Sequence, residues 1–240
     1  MSELKEYIEK ALEKEYKKIG VISETPVNTI TVYGHTESGN RLVLIRSGYR
    51  NDEVFRKLKS INTGGLMPII YEVCSEEDFL YVLEEYIDGR SLTDYLSGEC
   101  DYTERELYKF LVDICAALEI IHGLGIVHRD IKPENIIISK GKACLIDFSV
   151  SRIINYSQKD TVNLGTAGYA APEQYGISES QPSSDIYAFG VLANILLTGE
   201  HPTTKIPSGK IGRIIRKCTD IQISKRYQSA GELKKQLIKL

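Results

Sequence analysis

The sequence has little of what would mark a special class. Its 240 residues contain no tryptophan, two methionines, seven prolines and nineteen glycines, against 42% hydrophobic and 26% charged residues. Composition of that kind excludes collagen-like, disordered and low-complexity chains, and no repeat is visible. Cysteine is sparse and scattered: Cys74, Cys100, Cys115, Cys144 and Cys218 form an odd set with no CxxC pair. Zinc ribbons and dithiol redox chemistry are therefore not indicated, and the pattern reads as reduced thiols of a cytoplasmic protein. Net charge is also small, −3, so no global field recruits nucleic acid or anionic lipid. The balance is uneven, since residues 205–240 carry a surplus of eight positive charges and the rest a deficit of eleven. That basic stretch reads as a solvated helical face, with an acidic partner as the alternative.

Long apolar runs are missing as well. The longest, Ile186–Leu197, falls short of the roughly 20 residues needed to cross a bilayer, and MSELKEYIEKALEKEYKK is too charged for a signal peptide. No membrane span is expected.

Leu4, Ile8, Leu12 and Tyr16 recur at helical spacing, so residues 1–19 read as an amphipathic opening helix. The period then shortens. KIGVIS, NTITVYG and RLVLIRS, separated by Glu24-Thr-Pro and Glu37-Ser-Gly-Asn, predict an antiparallel meander, and MPIIYEV and FLYVLEEYI predict two further strands after a short helix over 52–61. After Gly89 the pattern turns helical. Thr103 and Glu106 make a capping box ahead of a stripe running from Leu107 to Ile121, and further helices are expected over 186–197, 210–218 and 229–238. Sheet first and helices second is an α+β arrangement, with a hinge near Ile87-Asp88-Gly89 joining a first lobe (20–87) to a second (88–240). A cleft between two lobes is where small ligands tend to bind.

The chemistry concentrates in His128-Arg-Asp-Ile-Lys-Pro-Glu-Asn135 and, twelve residues on, Asp147-Phe-Ser149. Asp130 is a carboxylate able to take a hydroxyl proton, Asn135 an amide oxygen able to bind a metal, and Asp147 a second carboxylate for a hard cation such as Mg²⁺. ENIIIS and KACLID, turning through Lys140-Gly-Lys, would hold Asn135 and Asp147 at neighbouring ends of a hairpin.

HRDIKPEN, DFS, Gly165-Thr-Ala-Gly-Tyr-Ala-Ala-Pro-Glu173 and Ser184-Asp-Ile-Tyr-Ala-Phe-Gly190 together resemble the catalytic half of a eukaryotic-type (Hanks-type) serine/threonine protein kinase, in the style of small bacterial members. The resemblance is strong from about Leu80 onward. It implies a bilobal kinase-like fold over 1–240 that uses ATP and Mg²⁺ and phosphorylates a protein at serine or threonine. By the same resemblance Asp130 is the base, Lys132 steadies the transferred phosphoryl group, and Asn135 and Asp147 hold Mg²⁺. Glu85, Ile87 and Ile137 would meet adenine. Glu173 would pair with Arg226, and Asp185 would anchor the catalytic-loop backbone. Arg129 would meet a phosphorylated loop residue, with Thr161 as the acceptor, while Thr166 would contact the base and docked substrate.

The first lobe departs from that pattern. VISETPVNTITV has no glycine where a phosphate-covering loop is expected. Val43-Leu-Ile-Arg46 puts Arg46 where the resemblance asks for a lysine, and an arginine is not an interchangeable phosphate ligand. Glu53 or Asn51 would stand at the helix position facing it, and Glu84 would pair with Arg46 or Lys57. The alternative function is accordingly a pseudokinase, a scaffolding module with weak or no ATP turnover; a kinase-fold enzyme acting on small molecules ranks third. His35, His122 and His201 read as solvent-facing or turn residues, and His128 as a buried partner of Phe148.

Overall fold

The computed structural model describes residues 10, 12, 14–76, 78–154, 166–175 and 179–240. The chain divides into two compact units. The first holds the described residues up to Thr63 together with Pro68–Ile87; the second holds Gly64–Met67 and Asp88–Leu240.

The first unit is a five-stranded antiparallel sheet in the order β1-β2-β3-β5-β4, built from β1 (Tyr16–Glu24), β2 (Asn28–His35), β3 (Arg41–Ser47), β4 (Ile70–Ser75) and β5 (Leu80–Glu85). Its one helix among the described elements, α1 (Asp52–Lys59), packs against β4 and buries Val54, Phe55 and Leu58. Acidic residues open α1 and basic residues close it, which suits the helix dipole. Side chains alternate along β3: Val43, Ile45 and Ser47 are buried on one face, opposite Glu84, Val82 and Leu80. Leu42, Leu44 and Arg46 point to the other face, beside Leu83 and Tyr81. Leu12 and Tyr16 cover that second face, in one cluster with Cys74, Tyr33, Leu42 and Leu44. Helical residues precede Tyr16, but the helix expected to reach residue 19 gives way there, because Tyr16–Lys18 pair with Tyr33–His35 in the sheet.

The turn joining β1 to β2 is locked by side chains rather than glycine. Thr25 N–H donates to the Asn28 carbonyl at 2.8 Å, and Asn28 N–H donates to Thr25 Oγ1 at 2.9 Å.

The second unit is mainly helical. The longest helix, α3 (Glu104–Gly123), lies between the two-residue strands β6 (Arg90–Ser91) and β7 (Ile126–Val127), follows the short α2 (Leu92–Leu96) and opens on the capping box: Glu106 N–H donates to Thr103 Oγ1 at 3.3 Å, and Thr103 N–H donates to Glu106 Oε2 at 2.9 Å. It buries Leu107, Phe110, Leu111, Ile114, Leu118 and Ile121 in a stripe against α6 (Ala230–Leu237) and the hairpin β8 (Ile136–Ser139)–β9 (Lys142–Leu145). The hairpin turns through Lys140 (φ 50°) and Gly141 (φ 73°), the pair of left-handed residues a two-residue type I′ connection needs. A central helix, α4 (Pro182–Thr198), is apolar all round and buried, ending on left-handed Gly199. α5 (Gly209–Cys218) packs on α4, where a side chain at Gly190 would sit 2.5 Å from the Cys218 Cβ. Gly89 is equally constrained, since a Cβ there would fall 2.2 Å from the Ile138 carbonyl oxygen.

Each fully buried aliphatic or aromatic side chain contributes about 1.5–3 kcal/mol by leaving water, so these stripes, not propensity, hold the helices in place. None of the five cysteines is in a disulfide. No helix of the described residues is long and apolar enough to cross a membrane.

Candidate active site

In the second unit, chain geometry gathers the polar residues that the sequence brings close. α3 delivers the chain to His128, a short 3₁₀ turn (Pro133–Asn135) leads into β8, and β9 delivers it to Asp147. The Ile146 N–H donates to the Asn135 carbonyl at 2.9 Å, so Asn135 and Asp147 do stand at adjacent hairpin ends.

Asp130 lies at the centre. Lys132 Nζ is 2.8 Å from its Oδ2, the Thr166 hydroxyl donates to its Oδ1 at 2.7 Å, and Asn135 Nδ2 donates to Oδ2 at 3.0 Å and to the Asp130 carbonyl at 2.8 Å. Lys132 Nζ also donates to Thr166 Oγ1 at 3.0 Å, closing a triangle. Burial alone would push the Asp130 carboxyl up; the hydrogen bonds from Lys132 and Thr166 outweigh it and hold the group below its ordinary range. Asp130 is thus an ionised acceptor at neutral pH.

Asn135 spends its amide nitrogen on Asp130, which leaves the amide oxygen as a ligand. Asp147 accepts the Ser149 N–H at Oδ1, 3.1 Å, and has a second carboxylate oxygen to offer. Two hard oxygen donors at the ends of one hairpin fit Mg²⁺, which takes one or two protein oxygens and completes its shell with phosphate and water. Arg129 (φ 75°) and Asp147 (φ 63°) flank this region in the left-handed conformation that side chains rarely adopt, the type of local strain that clusters at functional sites.

Asp185, on α4, holds the loop from behind. Its Oδ1 accepts the Arg129 N–H at 2.8 Å, and its Oδ2 accepts the His128 N–H at 2.9 Å. Burial opposes its ionisation, but His122 and these donors prevail and depress its pKa. His122 is not solvent-facing as the sequence suggested: its side chain is 9% exposed and its Nε2 lies 2.9 Å from Asp185 Oδ2. The missed signal was spacing, because His122 falls four residues after Leu118 and so continues the buried stripe of α3. His128 is buried, edge-on to Phe148 with ring centroids 4.9 Å apart. Burial pulls its pKa down, and the neutral tautomer fits, with Nε2 3.2 Å from the Ile146 carbonyl and Nδ1 accepting the Asp130 N–H at 3.4 Å. His35 and His201 sit at turns, where their Nδ1 atoms accept backbone N–H groups.

Glu173 and Arg226 form a buried bidentate pair, Nη1–Oε1 2.6 Å and Nη2–Oε2 3.0 Å. Arg129 Nε donates to Ser180 Oγ at 3.2 Å and Nη1 to the Val150 carbonyl at 3.4 Å, and Gln174 Nε2 donates to the Arg129 carbonyl at 2.9 Å. Ser180 and Gln174 carry no motif signal and were not foreseen. Thr161 lies outside the described residues. Ile137 is half-buried on β8, opposite Cys144.

The sheet unit treats its expected residues differently. Glu85 ends β5, its N–H donating to the Ile69 carbonyl at 2.9 Å, and Ile87 closes the unit. Arg46 does not share a face with Val43 and Ile45. Strand alternation turns it to the side of Leu42, Leu44 and Tyr81, where its guanidinium lies 3.3 Å from the Phe79 ring centroid. Asn51 precedes α1 as its N-cap residue and Glu53 is exposed on the helix. Glu84 is buried, 6% exposed.

Comparison with known proteins agrees with the motifs. Residues 56–240 match the model of the protein kinase domain. The chain is 30% identical over 181 residues to a probable serine/threonine-protein kinase PknB of Lactococcus lactis, covering 68% of this chain and 28% of that protein. It is 31% identical over 188 residues to serine/threonine-protein kinase PknB of Mycobacterium tuberculosis, covering 67% and 30%. To serine/threonine-protein kinase C of Synechocystis it is 35% identical over 160 residues, covering 62% and 29%. The match thus spans under a third of the length of these curated relatives.

Proposed function

Because the chain belongs to the protein kinase family, in its bacterial serine/threonine branch, we propose that it transfers the γ-phosphoryl group of ATP, with Mg²⁺, to a serine or threonine hydroxyl of a protein, residues 1–240 acting as one kinase domain. The observation that carries this reading is the state of Asp130: an ionised carboxylate, oriented by three donors, beside an ammonium and two hard oxygen ligands.

In this reading Asn135 and Asp147 hold Mg²⁺, which when bound neutralises charge on the phosphate oxygens. Asp130 accepts the proton of the acceptor hydroxyl; the Thr166 hydroxyl already occupies one of its oxygens and models how an alcohol addresses it. Lys132 steadies the phosphoryl group. Little covalent chemistry is asked of the protein, so positioning and electrostatics supply the rate. Asp185 and His122 are positioning residues that fix the loop backbone, and Glu173–Arg226 is structural. Glu85, Ile87 and Ile137 contact adenine, and Thr161 with Arg129 provides a phosphorylation-dependent link. The free thiols fit the reducing cytoplasm.

One observation favours a second reading, a pseudokinase that scaffolds. Arg46, stacked on Phe79, puts no cation on the Val43–Ile45 face of β3, and the locked Thr25–Asn28 turn has no glycine backbone with which to approach a phosphate. The deciding experiment is MgATP binding and radiolabelled autophosphorylation, with Asp130→Asn and Asp147→Ala in parallel. Incorporation that vanishes in both variants supports catalysis. Binding without transfer, or no thermal shift at millimolar MgATP, establishes the scaffold.

A further inference from the structure

The second unit carries a cavity that phosphoryl transfer does not use. It has a volume of ≈ 400 Å³ and is lined chiefly by Tyr95, Tyr102, Tyr108 and Glu104, with Leu196 and Ile211 among its apolar walls. Its volume falls in the range of small-molecule sites, and aromatic and aliphatic side chains share the lining with polar groups.

Its chemistry is one-signed. Glu104 is the first residue of α3, placed there by the Thr103 cap, where the positive end of the helix dipole favours an acidic side chain. Its polar contact is the Tyr108 hydroxyl, which donates to Oε1 at 2.5 Å; among the described residues no lysine or arginine is within ion-pair distance of it. The Tyr102 and Tyr108 phenols are neutral, since burial foremost pushes both up to about 12. Their rings are held in place. Tyr102 stands edge-on to Phe110 with centroids 5.0 Å apart at 86°, and tilts 39° from Tyr95 at 5.6 Å. An uncompensated carboxylate among three ring quadrupoles repels anions and attracts a soft, weakly hydrated cation.

We propose that this cavity is a binding site for a small organic ammonium ion, the charged head lying among Tyr95, Tyr102 and Tyr108 near Glu104 and the apolar substituents against Leu196 and Ile211. The site is separate from the Asp130 constellation and does not depend on catalysis.

The test is titration calorimetry of the whole chain with choline and with its neutral isostere 3,3-dimethylbutan-1-ol. Millimolar choline binding is expected, with the isostere at least about tenfold weaker. Glu104→Gln, at an exposed position, and Tyr95→Leu should each weaken choline at least about tenfold. Asp130→Asn should leave it unchanged, so loss of kinase activity and loss of this site are read separately. Equal binding of the isostere, unchanged affinity in Glu104→Gln, or no heat with choline at about 50 mM overturns the proposal. Should Tyr95→Leu unfold, Glu104→Gln decides alone.

Discussion

The two units bury different things. In the sheet unit the interior face of β3 and β5 is Val43, Ile45, Leu80 and Val82, with Ser47 and Glu84 as its polar members. In the helical unit His128, Arg129, Asn135, Glu173, Ser184, Asp185 and Arg226 are all buried, and hydrogen bonds gather them into two adjoining groups, one around Asp130 and Asp185 and one around Glu173 and Arg226. A buried polar group costs about 1–3 kcal/mol unless it is satisfied, so such a network persists only where every member is paired. The difference teaches where polar groups are invested. The helical unit gathers hydrogen-bonded polar side chains around Asp130, while the buried face of β3 and β5 in the sheet unit is mainly apolar.

That contrast can be broken most sharply at its centre. Asp130→Asn should lower phosphoryl transfer by about 10²–10⁴-fold in a radiolabel assay, with the far-ultraviolet spectrum unchanged. A fall of less than tenfold would place the chemistry outside the network. Next in size, Arg226→Leu leaves Glu173 charged and buried, and should cost about 3–5 kcal/mol in urea unfolding; a loss under about 1 kcal/mol would mean the pair is screened.

Acid should discriminate in the same direction. Glu173 and Asp185 are both held below their ordinary range, burial opposing but Arg226 and His122 respectively prevailing. Each therefore binds a proton less readily folded than unfolded. Their stabilisation is complete above the unfolded carboxylate values of about 4 and is lost as pH falls through the lower folded ones. Chemical unfolding at pH 7 and at about pH 3 should show the helical unit weakening, and Glu173→Gln should flatten that dependence. The smallest effect belongs to the sheet unit. Arg46→Met should change MgATP affinity by less than about twofold and stability by no more than about 1 kcal/mol, the scale of an exposed cation–π contact. A tenfold loss of nucleotide affinity would restore Arg46 as a ligand.

Where local rules were strong, the sequence could be read directly. The Thr103–Glu106 box and its apolar stripe located α3, and the Lys140-Gly141 turn located the hairpin that brings Asn135 to Asp147. The face that Arg46 takes was not legible because strand chemistry depends on parity. A frame chosen one residue off exchanges the two faces of β3, and no local signal separates Ile45 from Arg46 as the residue turned inward. The end of the opening helix was hidden for a related reason, since Tyr16 satisfies the helical stripe and a strand pairing with His35 equally well. Ser180 and Gln174 were invisible because their partner, Arg129, lies 51 and 45 residues away.

Arg226 has one more consequence. Besides Glu173 it reaches the Ser183 carbonyl through Nη1 at 2.9 Å and the Asp220 carbonyl through Nε at 2.8 Å. One guanidinium thus ties together the stretches around Glu173, Ser183 and Asp220, so opening any one of them costs a contact that the other two share. In native-state hydrogen exchange the amides of Gln174, Ser184 and Arg226, each donated within its own turn, should behave as a single foldon with a shared opening free energy.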